Sequence, residues 1–433
     1  MPALQHRNIP AAHGPWRPLE HLCWAVVLIM SIAVMIFRGS KWDGPADMPQ
    51  ERDFATYVFA ARAIGDNPLN LYHERLWIRP PIAPVGADQP YLYPPAVAWL
   101  MRPFTALPFD SARKVWFWLS ISCIAGIAAW LLFLGGRTLG AFQGAILFLL
   151  APSTMDSLYL GQITFLLALG TLLGAAGIRT HSRWKSFLAG CFAGMAIVIK
   201  PVTIALGAVA LLSGGWRFLV GMVVGMVALL LLGAVALPGQ LTTEYYKTLV
   251  RVLSPSFGGL GWQVGNQSLV GFWHKFAMAG HVDGVTIRPL LPQPWARLAA
   301  LISLATVGGL TLYALVRARK SEPLIVLSIS IACLATILAS SFSWWHFVGL
   351  APPIFLSIAQ ERSTLLSTGH AIRAMLLPCG YLLIVIGLLG RNIVLHTGLM
   401  PLSSTPMLGM TIILGVFIWR VVSSARASAN DFA

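Results

Sequence analysis

Three ionisable residues of this 433-residue chain sit where they could do chemistry: Asp53, Lys200 and His346. Asp53 begins a short amphipathic stretch. An acidic residue there is favoured by the helix dipole, and a carboxylate held near an acceptor hydroxyl is also a general base. Lys200 interrupts the apolar run 189–212. It reads either as an interfacial lysine that snorkels or as a fixed cation for a phosphate that leaves with negative charge. His346 follows Ser343-Trp344-Trp345. It is either part of an interfacial aromatic belt, or a phosphate or sugar contact, or a proton donor to a leaving oxygen.

Neutral groups accompany them. Gln162 and Asn266 stand beside Gly161 and Gly265. Such amides either satisfy backbone at a helix end or bond sugar hydroxyls and phosphate. Tyr93-Pro94-Pro95 makes a rigid aromatic turn, suited to anchoring a loop at the headgroup level or to carrying a sugar ring, since a tyrosine is apolar on its face and polar at its tip.

The elements that must position these residues are membrane helices. Hydrophobic residues make up 57% of the chain and charged ones 10%, against about 25% charged in a soluble domain. We expect a single all-α polytopic membrane domain over 1–433. It has about twelve transmembrane helices (ten to thirteen) and a long first outer loop, 38–112, with helices in the membrane interface. A second long outer loop covers 238–294. The expected apolar segments are 22–37, 115–134, 141–151, 163–178, 187–199, 202–212, 218–237, 295–316, 324–339, 347–359, 374–389 and 407–421. The first lacks a small-residue cleavage site and is expected to stay as an anchor. Several are short for about 30 Å of hydrocarbon, which is tolerated where helices line a protein cavity.

Counting Lys and Arg sets the orientation. With both termini in the cytoplasm of a cell-membrane protein, the inner segments carry residues such as Arg137, Arg179, Arg183, Lys185, Arg217, Arg317, Arg362 and Arg420, whereas the short outer loops carry Lys200 and Arg391. Asp53, Tyr93, Gln162, Lys200, Asn266 and His346 then share the outer side. Eight of the 15 acidic residues (Asp43, Asp47, Glu51, Asp53, Asp66, Glu74, Asp88 and Asp110) fall in the first outer loop region. The net charge of +15 favours anionic headgroups rather than nucleic acid. The five cysteines form no ligand pair. There is no GxxxxGK[ST], no HExxH and no outer-loop Asp-x-Asp, so a P-loop ATPase is not expected, nor a metal or other cofactor.

The ordered set Asp53-x-x-x-Tyr57, Leu71-Tyr72, Tyr93-Pro94-Pro95, Gly161-Gln162, Ile199-Lys200-Pro201, Asn266-Gln267-Ser268 and Ser343-Trp344-Trp345-His346 resembles glycosyltransferase family 87, membrane enzymes of the GT-C fold. Two positions depart from the family's pattern. Ile163 follows Gly161-Gln162 where the family commonly has Asn, and Phe347 replaces one of a His-His pair. The resemblance implies transfer of a sugar, mannose first, from a polyprenyl-phosphate donor to a lipid or glycan acceptor, with inversion and with Asp53 as base. Lys200, His346 and Arg52 would stabilise the phosphate. Tyr57, Tyr93, Gln162, Asn266 and Ser343 would contact sugar and acceptor. A transporter or flippase of lipid-linked sugars would also place polar residues at broken helices, and a scaffold protein is the third class; it leaves Lys200 unexplained.

Overall fold

A computed structural model gives the fold and describes residues 17–39, 52–66, 71–72, 91–136, 138–253, 266–277, 293–319, 321–340, 343, 345–367, 370–397 and 404–430. Glu51, the proline-rich stretch 80–90, Trp344, and the side chains of Arg52 and His346 lie outside the described residues.

The described residues are all-α. They form α1 (Arg17–Gly39), α2 (Arg52–Asp66), α3 (Pro95–Leu100), α4 (Phe109–Leu134), α5 (Leu139–Leu149), α6 (Pro152–Tyr159), α7 (Thr164–Arg179), α8 (Arg183–Ile199), α9 (Ile204–Leu212), α10 (Trp216–Ala236), α11 (Gln240–Leu253), α12 (Leu269–Ala277), α13 (Pro294–Ala318), α14 (Ile325–Ala339), α15 (Pro353–Ser367), α16 (Ala371–Thr397) and α17 (Thr405–Asn430). Single 3-10 turns lie at Arg102–Ala106, Pro201–Thr203, Glu322–Leu324 and Trp345–Leu350. Among the described residues six helical segments are long and apolar enough to cross a membrane, in α1, α4, α10, α13, α14 taken with the Glu322–Leu324 turn before it, and α17. α5 and α6 pass the same test only together, as one broken span or a re-entrant loop bent by 42°, where Pro152 starts α6 and cannot continue the α5 ladder.

Eleven of the twelve apolar segments read from the sequence coincide with helix. The exception is 347–359, which divides into the turn Trp345–Leu350 and α15. Ala351 and Pro352 each precede a proline, and that position disfavours helical backbone. α2 differs in its partner. Its apolar face, Phe54, Tyr57, Val58, Ala61 and Ile64, is buried in protein rather than laid into the membrane interface. The Phe54 ring stacks on Trp116 of α4 at 5.3 Å and meets Phe104 edge-on at 5.7 Å. The sequence pattern is the same for either partner; the aromatic wall of α4 captures this face.

Two glycine pairs fix the helix that carries Lys200. Gly190 and Gly194 of α8 face Gly221 and Gly225 of α10. A Cβ at Gly190 or Gly194 would overlap the carbonyl oxygens of Phe218 or Met222, and one at Gly221 or Gly225 those of Phe187 or Cys191. Small residues four apart let helix backbones approach this closely. The register climbs in the same direction on both helices, so α8 and α10 are parallel and α9 runs back between them. Lys200 therefore turns at the end of the bundle where α10 finishes. At that end Gly233 of α10 approaches Ala96 of α3, and α2 and α3 pack there. The opposite end is tied by part-buried ion pairs, Glu20 with Arg362 and Glu361 with Arg420. Replacing Gly194 by Leu forces α8 and α10 apart at a cost of about 1–3 kcal/mol or more. Its thermal midpoint in detergent should fall, while Gly308→Ala, with open space around its Cβ, should hold the wild-type value.

Candidate active site

The turn between α6 and α7 gathers the site. Gly161 sits at φ +65°, a left-handed conformation that a residue with a Cβ adopts at a cost of about 1–2 kcal/mol. That reversal spreads four groups toward four partners. Leu160 O accepts from Asp53 N at 3.0 Å, and Gly161 O accepts from Trp116 Nε1 at 2.9 Å. Gln162 N donates to Ser157 O at 2.9 Å, and Ile163 N donates to the Tyr57 hydroxyl at 3.5 Å. The start of α2 and the N-terminal third of α4 are thus bonded to one turn.

Lys200 completes it. Its side chain is 7% exposed, and Nζ donates to Gln162 Oε1 at 2.8 Å. The nitrogen also lies 5.0 Å from the Phe347 ring centroid and 5.9 Å from that of Tyr93. Aromatic faces attract a desolvated cation. The Tyr57 hydroxyl donates to the Tyr93 hydroxyl at 3.0 Å, which donates on to Gln162 Oε1 at 3.5 Å. The Tyr72 hydroxyl donates to Tyr93 O at 2.6 Å and holds that loop in place. Tyr57 is fully buried, so it supports the network, while half-buried Tyr93 presents the ring edge of the site.

Asp53 is half-buried, and its charge reaches the same groups. Burial pulls the Lys200 ammonium down to about 8, with the Asp53 carboxylate opposing the fall. Burial raises the Tyr93 phenol above its ordinary range and Asp53 raises it further. The Asp53 carboxylate therefore acts electrostatically on the buried ammonium and on both tyrosines. A carboxylate and a nearly buried cation within one another's field are the groups that proton removal and neutralisation of developing negative charge require.

The remaining sequence-identified residues form a second knot. Asn266 Oδ1 accepts from Ser268 N and from Ser343 N, both at 3.0 Å, and Gln267 N donates to Ser343 O at 2.5 Å. Asn266 and Ser343 are buried. The oxygen of Asn266 is thus committed to main chain and shapes the site rather than reaching out. The knot joins the Lys200 centre through the turn Trp345–Leu350, which carries His346 and places Phe347 against Lys200.

One contributor was missed in the sequence: Trp116 carried no signal beyond aromaticity. Phe347 stood out only as a departure from the family's His-His pair, and nothing in the sequence put its ring against Lys200. Asp156, expected on the same side as the other polar residues, is buried on α6. No group of three or more His, Cys, Asp or Glu side chains comes together among the described residues. Gly161→Ala should cost about 1–2 kcal/mol through its backbone conformation and lower the thermal midpoint in detergent; an unchanged midpoint would contradict the role given to this turn.

Two solved structures are similar to the chain. ArnT from Cupriavidus metallidurans in the apo state is 16% identical, with 93% of this chain and 76% of that one covered and a TM-score of 0.40. ArnT from the same organism bound to undecaprenyl phosphate is 14% identical, with 94% and 78% covered and a TM-score of 0.39. No curated protein sequence matches. A family model described as glycosyltransferase family 87 matches residues 91–341, more than half of the chain. The matched stretch holds Tyr93, Gln162, Lys200 and Asn266; Asp53, Ser343 and His346 flank it. The chain belongs to glycosyltransferase family 87.

Proposed function

We propose that this protein is a GT-C membrane enzyme that moves a sugar, mannose first among the candidates, from a polyprenyl-phosphate donor to a hydroxyl of a lipid or glycan. The reading places the reaction on the outer face of the cell membrane, with both termini cytoplasmic. The observation that carries it is the buried Lys200 ammonium, held by Gln162 at the bundle end where the Asp53 helix begins.

The steps follow from charge. The acceptor oxygen attacks the anomeric carbon and Asp53 takes its proton. The bond from that carbon to the phosphate oxygen breaks with its electron pair, and polyprenyl phosphate leaves. Attack opposite the leaving group inverts the centre, so a β-linked donor gives an α-glycoside. The departing phosphate gains negative charge in a site sheltered from water, where a fixed cation stabilises it far better than in bulk solvent. Gln162 uses one of the three N–H donors of Lys200, and an ammonium has three to offer. His346 and Arg52 are assigned to the same phosphate, and Tyr93 to the sugar and acceptor face. Tyr57, Asn266 and Ser343 act from behind, by holding Tyr93 and the Ser343 segment.

Purified protein in lipid vesicles, given a panel of polyprenyl-phosphate sugars and a membrane lipid extract, should form a new glycolipid detectable by mass spectrometry. Asp53→Asn keeps the shape and removes the base; measured at a pH low enough to keep Lys200 protonated, kcat should fall by about 10²–10⁴-fold or more with donor binding retained. An Asp53→Asn enzyme as fast as wild type would overturn that role. Lys200→Met should cost about 10²–10³-fold. The pH dependence has a definite sign. Lys200 is protonated below about 8, so donor binding should weaken as pH rises through that value. Without the Asp53 charge the Lys200 pKa falls further, and Asp53→Asn should lose donor binding at a lower pH than wild type; titration of donor affinity checks both.

A further inference from the structure

Lys275 is the buried cation that the proposed chemistry does not use. It lies on α12, its side chain is 0% exposed, and Nζ donates to the main-chain oxygen of Asn266 at 2.6 Å. Two sets of charges inside the fold, Glu20 with Arg362 and Glu361 with Arg420, are matched carboxylate–guanidinium pairs. Lys275 has no such match on the helices packed against it. α13 brings the cations Arg297 and Arg317, and α14 brings no charged residue. Burial pulls its ammonium down to about 7. A neutral amine still donates to a carbonyl, so what this position supplies is an N–H at the end of a long, thin chain.

The acceptor of that N–H is the residue on which the second knot turns. Asn266 bonds Ser268 and Ser343 through its side chain, and Gln267 bonds Ser343 O. Ser268 Oγ accepts from Gly271 N at 2.9 Å and starts the helix that carries Lys275. Gly271 lies so close that a Cβ there would stand 2.6 Å from Asn266 Cγ. The loop therefore closes on itself: Asn266 to Ser268, Ser268 to α12, and α12 back to Asn266 through Lys275.

We infer that Lys275 is a positioning residue for the reaction proposed above: its side-chain nitrogen pins the Asn266 turn and, through Ser343, sets the segment that carries His346 and brings Phe347 to Lys200. The inference rests on that reading for its catalytic consequence and on geometry alone for the lock itself. An apolar side chain of equal length would fill the same space without the bond, and replacing a buried charge by such a group is often tolerated by the fold.

The test compares wild type, Lys275→Met and Lys275→Gln in lipid, by amide hydrogen exchange and by transfer kinetics. In Lys275→Met, exchange should quicken about tenfold or more in peptides spanning 266–277 and 343–350 and stay unchanged elsewhere. Its kcat should fall about tenfold with donor KM within about threefold, and Lys275→Gln, which keeps an N–H donor, should recover part of both. Unchanged exchange overturns the inference, and so does faster exchange with an unchanged kcat. Should Lys275→Met not fold, the Gln variant is read against wild type in the same way. If wild type transfers sugar from no donor, the proposed function fails, and the exchange comparison still decides whether Lys275 holds the turn.

Discussion

Lys200 Nζ donates to Gln162 Oε1 in surroundings that strip it of most of its water. Burying an ammonium is costly unless something replaces its hydration. Here an amide oxygen, two aromatic faces and the field of a nearby carboxylate do so together. Each of these comes from a different part of the chain: the α6–α7 turn, the Tyr93 loop, the Trp345–Leu350 turn and the start of α2. The lysine is therefore a structural centre. It is the point at which four segments must agree, and a cation placed this way needs no reorganisation when negative charge develops beside it.

That agreement depends on backbone features as much as on polar side chains. Gly161 can turn left-handed, so its carbonyl and its neighbours point to α2 and α4 at once. The glycines of α8 and α10 let two parallel helices touch backbone to backbone, which fixes the height at which Lys200 emerges. Parallel packing of helices two apart in sequence requires α9 to run back, and this return is why a chain that looks like one interrupted apolar run presents its lysine at a turn. Packing and chemistry are coupled through small residues rather than through large ones.

Much of the site could be read from sequence because the costs are visible there. A lysine in an apolar run, a carboxylate at a helix start and an amide beside a glycine each stand out, and the distribution of basic residues placed them on one side. The structure brings Asp53, Tyr93, Gln162 and Lys200 to one end of the bundle. What was not legible is tertiary. The α2 stripe has the same pattern whether it faces lipid or the Phe104–Trp116 wall. Asn266 could have faced a sugar; its oxygen instead serves two main-chain groups. Lys275 looks like any loop lysine, because nothing local says that α13 and α14 will cover it.

A buried cation at a broken helix would equally suit a protein that carries a lipid-linked sugar without cleaving it. The two differ in bond breaking. Vesicles holding the purified protein, a polyprenyl-phosphate sugar and an acceptor lipid can be followed by phosphorus NMR for free polyprenyl phosphate and by mass spectrometry for glycosylated acceptor. A transferase releases both in equal amounts, with the new linkage inverted relative to the donor. Donor that binds and crosses the membrane with its sugar–phosphate bond intact, and no glycosylated acceptor from any donor in the panel, would contradict the assignment.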